Sequence, residues 1–114
     1  MYRDPSLLKM ARGMHCLLQI PGICGRNPDT TVACHSNQLA HGKGRAIKAH
    51  DYMSVWGCAT CHTWLDQGPA LKAKKVQAFD AAHTRQIQAW KDAHLVGLSV
   101  ASASKAVAAY EASL

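Results

Sequence analysis

No apolar run in the 114 residues approaches the ~18 needed to cross a bilayer, so a transmembrane helix is excluded. The N-terminus, MYRDPSLLKMARGMHC, lacks both an apolar stretch of about 7–15 residues and a small-residue cleavage site. A secretory signal is therefore not expected, and the chain is placed in the cytoplasm. Aromatic residues are scarce at 6%, with a single phenylalanine. A chain of this size buries only roughly 60–70% of its unfolded surface, so its core is small and would gain from a staple. Acidic residues are also few, 7 against 13 basic ones, for a formal net charge of +6. That balance favours polyanionic partners. The excess is spread evenly, with 7 basic and 4 acidic groups in residues 1–66 and 6 and 3 in residues 67–114, so there is no basic tail. No internal repeat or long linker is present, and residues 1–114 read as a single domain.

What is present divides by texture. All five cysteines fall within residues 14–68, and seven of the eight glycines precede Pro69. This part reads as loop-rich with short extended pieces. Pro5 to Arg12 reads as a short helix ended by Gly13. Cys16–Ile20, Thr30–Cys34 and residues 52–57 have strand character, separated by Pro21-Gly22 and Asn27-Pro28-Asp29 turn signals. Residues 41–45, HGKGR, form a basic loop. Residues 69–114 read as a helical tail. Pro69 suits a first helical turn, and Leu71, Val76, Phe79, Ile87, Trp90 and Leu95 fall largely on one face. Gly97 breaks that run. Residues 99–112 suit a last helix with Val100, Val107 and Tyr110 inward. The stripe of Leu71, Ile87, Trp90 and Leu95 suits either a homodimer contact or a cover for the core.

Five cysteines are too few for a disulfide scaffold, and cytosolic thiols stay reduced, so metal binding is the better reading. Cys58 and Cys61 form a CxxC knuckle, and Cys16 and Cys24 a wider pair closed by a Pro-Gly turn. Together they offer the four thiolates of a tetrahedral zinc site. Cys34 is left over and reads as a small buried hydrophobe. His35 closes a predicted strand. His62 opens a predicted helix with Asp66 four residues on, so the two share a face and suit a divalent ion. His50 and Asp51 are placed to supply a ligand or to orient one. His41, His83 and His94 read as surface or ordinary helix residues.

The run ARGMHCLLQIPGICGRNPDTTVACHSN…WGCATCHTWLDQG, over residues 11–68, resembles the YbcO-like family of small prophage-encoded proteins classed as nucleases. These are related to the HNH, or ββα-metal, endonucleases. The resemblance rests on the Cys16/Cys24 spacing, the Ile-Pro-Gly turn, the Asn-Pro-Asp-Thr run and the C-x-x-C-H-x-x-x-D element. It implies an α+β fold in which a zinc-stapled ββα-metal core (14–68) precedes a helical extension (69–114). It implies a metal-dependent endonuclease acting on DNA in the bacterial host of a phage or prophage. His35 matches the general base and His62 the helix-borne ligand of a catalytic divalent ion such as Mg²⁺. Cys16, Cys24, Cys58 and Cys61 match structural Zn²⁺ ligands. Two departures stand out. Cys34 occupies the place of an acidic or histidine metal ligand before the base, and the middle Asn has no clear counterpart. Asp66 and Asp51 are the candidates to complete the metal shell. Lys43, Arg45 and Lys48, with Arg26, are the candidates to hold flanking phosphates.

Two rival readings share these residues. One is a zinc-stapled DNA-binding or protein-interaction module without catalysis. The other is a c-type cytochrome, because Cys58-x-x-Cys61-His62 is literally a haem attachment motif. Against the latter, all four methionines precede the motif, and Cys16 and Cys24 would be unexplained.

Overall fold

The computed structural model describes residues 1–97 and 100–114, in an α+β arrangement. The order is α1 (Pro5–Lys9), β1 (Val32–His35), β2 (Ser54–Gly57), α2 (Ala59–Gln67), α3 (Lys72–Lys91) and α4 (Val100–Ala112). Short 3₁₀ turns lie at Pro28–Thr30, Leu39–His41 and Ala93–Val96. Among the described residues no helix is long and apolar enough to cross a membrane.

α1 begins where Asp4 accepts hydrogen bonds from the N–H groups of Ser6 and Leu7, with Pro5 in the first turn. Leu7, Met10 and Ala11 pin it to the core. β1 and β2 pair antiparallel in the register Val32↔Gly57, Ala33↔Trp56, Cys34↔Val55 and His35↔Ser54. Side chains alternate across a strand, so Cys34 turns into the core while Ala33 and His35 face outward. Gly57 is required at its place. A Cβ there would lie 2.6 Å from Leu18 Cδ1 and 2.7 Å from Cys34 Sγ.

The outer edge of β2 is covered rather than left open. Trp56 N–H donates to Gln86 Oε1 of α3 at 2.8 Å, and Trp56 O accepts from the N–H groups of Leu17 and Leu18. Arg85 donates to Leu17 O at 2.7 and 3.0 Å. These bonds explain why Cys16–Ile20, expected as a strand, is an irregular loop. Its backbone meets a single carbonyl of β2 and then bends through Gln19 at φ 48°.

The tail is helical as expected, but its inward face differs. Pro69 precedes α3 rather than opening it, because the chain turns at Gly68 and Pro69 before Lys72 starts the helix. Leu71 and Leu95 are 78% and 71% exposed, and Val100 is also exposed. The buried face carries Phe79, Ala82, His83, Gln86 and Trp90. α4 buries Ser102, Ala103 and Ala106, with Val107 and Tyr110 only half-buried. Of the expected stripe, Phe79 and Trp90 are buried and Val76 and Ile87 half-buried, whereas Leu71 and Leu95 lie beyond the ends of α3. Gln86 and His83 join the inner face because Trp56 N–H and Tyr52 O need partners. Gly97 does end the run, at φ 71°. Ser99, the expected start of the last helix, lies outside the described residues.

Candidate functional site

Two clusters of chemistry-bearing side chains meet at α2. The first is sulfur-rich. The Sγ atoms of Cys16, Cys24, Cys58 and Cys61 all lie within 4.8 Å of one another, with Cys24 and Cys58 at 3.9 Å. Four sulfurs about 2.3 Å from a tetrahedral zinc would stand about 3.8 Å apart, so a small contraction closes the set around an ion. The loops are built for thiolates. Gln19 N–H lies 3.5 Å from Cys16 Sγ. Burial opposes ionisation of Cys58. The Thr60 hydroxyl and the N–H groups of Cys61 and Gly25 outweigh it and bring the thiol down to about 5. Burial pushes Cys61 and Cys24 up, and neighbouring Cys16 adds to the shift in both. With Cys58 held low and Cys24 and Cys61 held high, a cation is what would let these thiols ionise together, and four clustered sulfurs are the donor set of a closed zinc site.

The start of α2 is tied to these loops by hydroxyls. Ala59 N–H donates to Thr30 Oγ1 at 3.0 Å, and Gly25 N–H to Thr60 Oγ1 at 3.0 Å. Both sulfurs of the C-x-x-C-H element face the other cysteine pair, and His62 faces Asp66. This arrangement gives haem attachment no support. Cys34 is separate. It is fully buried beside Gly57, and burial raises its thiol well above the ordinary value.

The second cluster is an open cleft of ~360 Å³ lined by Ala33, His35, Asn37, Lys43, Lys48, His62 and Asp66. β1 delivers His35 and the second turn of α2 delivers His62 and Asp66. His62 Nε2 lies 3.0 Å from Asp66 Oδ2, and Asn37 Nδ2 donates to Asp66 Oδ1 at 2.8 Å. Two ligands about 2.1 Å from an octahedral ion, on adjacent vertices, are about 3.0 Å apart. The His62–Asp66 pair therefore has the spacing to hold one divalent ion in place of their mutual hydrogen bond.

Asp51 lies beneath the cleft, its side chain 3% exposed. Its Oδ1 is 2.8 Å from His35 Nε2 and 3.1 Å from Arg3 Nη1, and its Oδ2 accepts from Asp4 N–H at 2.7 Å. Burial works against its charge. The bonds from His35, Asp4 N–H and Arg3 win and hold the carboxyl below the usual value. An ionised carboxylate only accepts. His35 must then donate from Nε2–H, which leaves Nδ1 of the neutral ring as a proton acceptor. Asp51 is thus bonded to His35 with both oxygens engaged, and it does not line the cleft.

Of the expected phosphate-holding residues, Lys43 and Lys48 line the cleft. Arg45 sits in the tight turn between Gly44 and Ile47, and Arg26 borders an opening beside Cys16 and Cys24. Neither lines the His35 cleft. Arg3, Asn37, Lys9 and Arg12 escaped the sequence reading. The last two line a second hollow that adjoins the first at Ala33, His35 and Lys48. The Pro5–Arg12 helix signal placed them on a helix, but nothing in the sequence set that helix beside β1.

A family described as "Putative nuclease YbcO" matches residues 5–94. Two curated relatives are similar: "Putative nuclease YbcO" of Escherichia coli (strain K12) and "Putative nuclease ybcO" of Enterobacteria phage 82. Each is 38% identical over 62 residues, covering 54% of this chain and 64% of the relative. The chain thus spans under two thirds of their length. A solved structure, "Structure of a putative bacteriophage protein from Escherichia coli str. K-12 substr. MG1655", matches with a TM-score of 0.56 at 25% identity. The match covers 75% of this chain and 96% of that one.

Proposed function

From the premise that the chain belongs to the YbcO family, we propose that it is a metal-dependent endonuclease of the HNH type that hydrolyses phosphodiester bonds in DNA. The observation that carries this reading is a single cleft lined by His35, which Asp51 bonds from below, by the His62–Asp66 pair and by two lysines. Two antiparallel strands followed by α2, with four clustered cysteines beside them, are an arrangement that supports this reading.

His35 Nδ1 takes a proton from the attacking water. The water oxygen forms a new bond to phosphorus, one P–O ester bond breaks, and the leaving oxygen acquires its proton from solvent. Asp51 keeps the His35 ring in the donating Nε2–H tautomer and offsets the positive charge that develops on it. His62 and Asp66 would hold a divalent ion such as Mg²⁺ or Mn²⁺, which supplies Lewis-acid stabilisation of charge on the phosphate and leaving oxygens. Lys43 and Lys48 fix the phosphate backbone without reading bases. Cys16, Cys24, Cys58 and Cys61 would hold a structural Zn²⁺ that orders α2, and so His62 and Asp66. The same reading makes DNA the partner and the host cytoplasm the place of action. Leu71 and Leu95 are exposed and would serve a homodimer contact through the tail.

The test is nicking of supercoiled plasmid by zinc-loaded protein with and without Mg²⁺ or Mn²⁺. Nicking is expected only with the added ion, and Asp66→Ala should raise the ion concentration needed by roughly tenfold or more. A folded, zinc-loaded protein that binds DNA but never nicks it would replace this reading with a non-catalytic binding module.

A further inference from the structure

We infer that the end of α1 and the turn after it form a second phosphate-binding wall, Lys9 and Arg12, lying across His35 from the His62–Asp66 pair. The inference rests on the nuclease reading above and deepens it. It names where the nucleic-acid backbone runs beyond the scissile phosphate.

The hollow lined by Lys9, Arg12, Ala33, His35 and Lys48 has a volume of ~280 Å³ and meets the His62–Asp66 cleft at Ala33, His35 and Lys48. His35 therefore stands at the middle of a longer groove, not at its end. Lys9 ends α1 and Arg12 lies in the turn that follows it; both are exposed, and both line this hollow. Among the described residues neither has a carboxylate within 4.0 Å. No acidic residue lines this hollow, and the acids bonded to the start of α1 are committed elsewhere. Asp4 caps α1, and Asp51 is held by His35, Arg3 and Asp4 N–H. The free charge along this part of the groove is thus positive.

The placement of α1 is tied to the catalytic base. One Asp51 carboxylate accepts from His35 through Oδ1 and from the start of α1 through Oδ2. Arg3 donates to Asp51 and to the carbonyls of Ala49 and Lys48, and Tyr2 and Asp51 are joined by a backbone hydrogen bond. The distance between the Lys9–Arg12 wall and His35 is therefore set by the fold, as a substrate-positioning surface requires. No phenylalanine, tyrosine or tryptophan lines either hollow. Base stacking is absent from such a surface, and contacts fall on phosphates.

The experiment measures affinity of zinc-loaded protein for a short DNA duplex against salt, by fluorescence anisotropy, together with steady-state nicking. The Lys9→Gln/Arg12→Gln pair should lower the magnitude of the log K against log salt slope by about two. It should also raise KM at least about fivefold, with most of the lost kcat/KM carried by KM. Lys105→Gln, on α4, removes an exposed cation that lines neither hollow and should match the wild type. If the wild type nicks DNA and the double variant matches it in slope and KM, the inference falls while the nuclease reading stands. If the wild type neither binds in a salt-dependent way nor nicks, both fall together.

Discussion

The sulfur cluster and the His35 cleft are built on the same nine-residue helix, yet they are opposites. The cluster brings four like donors together, three of them buried, enough to fill the coordination shell of a tetrahedral ion. The cleft is open, and the two α2 donors in it are each about 40% exposed. Closed four-ligand sites serve structure, whereas sites that keep places free serve chemistry. Cys58 and Cys61 set the first turn of α2, and His62 and Asp66 follow on its second. Cys61 and His62 are one residue step apart, so the cysteine cluster helps determine where the His62–Asp66 pair points. Damage to the cluster should therefore remove both fold and activity, and damage to the cleft should remove activity alone.

The largest effect is expected from Cys61→Ala. Structural zinc contributes apparent binding energies of about 10–16 kcal/mol in small metal-dependent domains, against a typical total stability of about 5–15 kcal/mol. The variant should lose its zinc and its cooperative unfolding transition together, as read by metal content and circular dichroism. A folded, zinc-free Cys61→Ala would break the comparison at its root. Asp51→Asn comes next. The amide can still accept from Asp4 N–H, but it no longer enforces the Nε2–H tautomer of His35. A drop in kcat on the order of 10²-fold is expected, with zinc content unchanged. An unaltered kcat would show that Asp51 serves folding only.

Acid should act on the fold through a third group. His83 is buried in α3 and donates from Nε2 to Tyr52 O at 2.8 Å. Burial lowers its pKa from 6.5, with the Tyr52 bond acting against the shift. Below 6.5 the unfolded chain takes up a proton that the folded chain refuses. Stability should then be full above that pH and fall as pH drops from it toward the depressed folded value. The slope from this group is at most about 1.4 kcal/mol per pH unit. Denaturant unfolding at pH 8 and pH 5.5 measures it, and His83→Gln should flatten the dependence. An equal slope in that variant would place the acid sensitivity in the cysteine cluster instead.

The two sites also differ in how far the sequence revealed them. The cysteine quartet was legible because ligand spacing is local: the CxxC pair and the Pro-Gly-closed pair announce themselves. His35 at a strand end and His62 with Asp66 on one helix face were legible for the same reason. Asp51 was visible as a candidate, but whether it met a metal or His35 depended on where the strap at residues 2–4 crosses the 48–51 segment. Only the fold supplies that contact. Lys9 and Arg12 were unread because their value comes from α1 lying beside β1. In the tail, periodicity found the helices and put Phe79 and Trp90 on the inner face, but missed its polar members. Gln86 and His83 are buried because Trp56 N–H and Tyr52 O need partners, a demand no apolar count detects.

The most direct test of the account is His35→Ala, measured side by side for nicking rate, zinc content and Tm. The side chain is 15% exposed, and its removal leaves Asp51 paired with Arg3 and Asp4 N–H. Stability should fall by only about 1–2 kcal/mol, while kcat should fall by roughly 10²- to 10⁴-fold with zinc fully retained. Nicking at the wild-type rate by a folded, zinc-loaded His35→Ala would contradict the claim that this cleft does the chemistry.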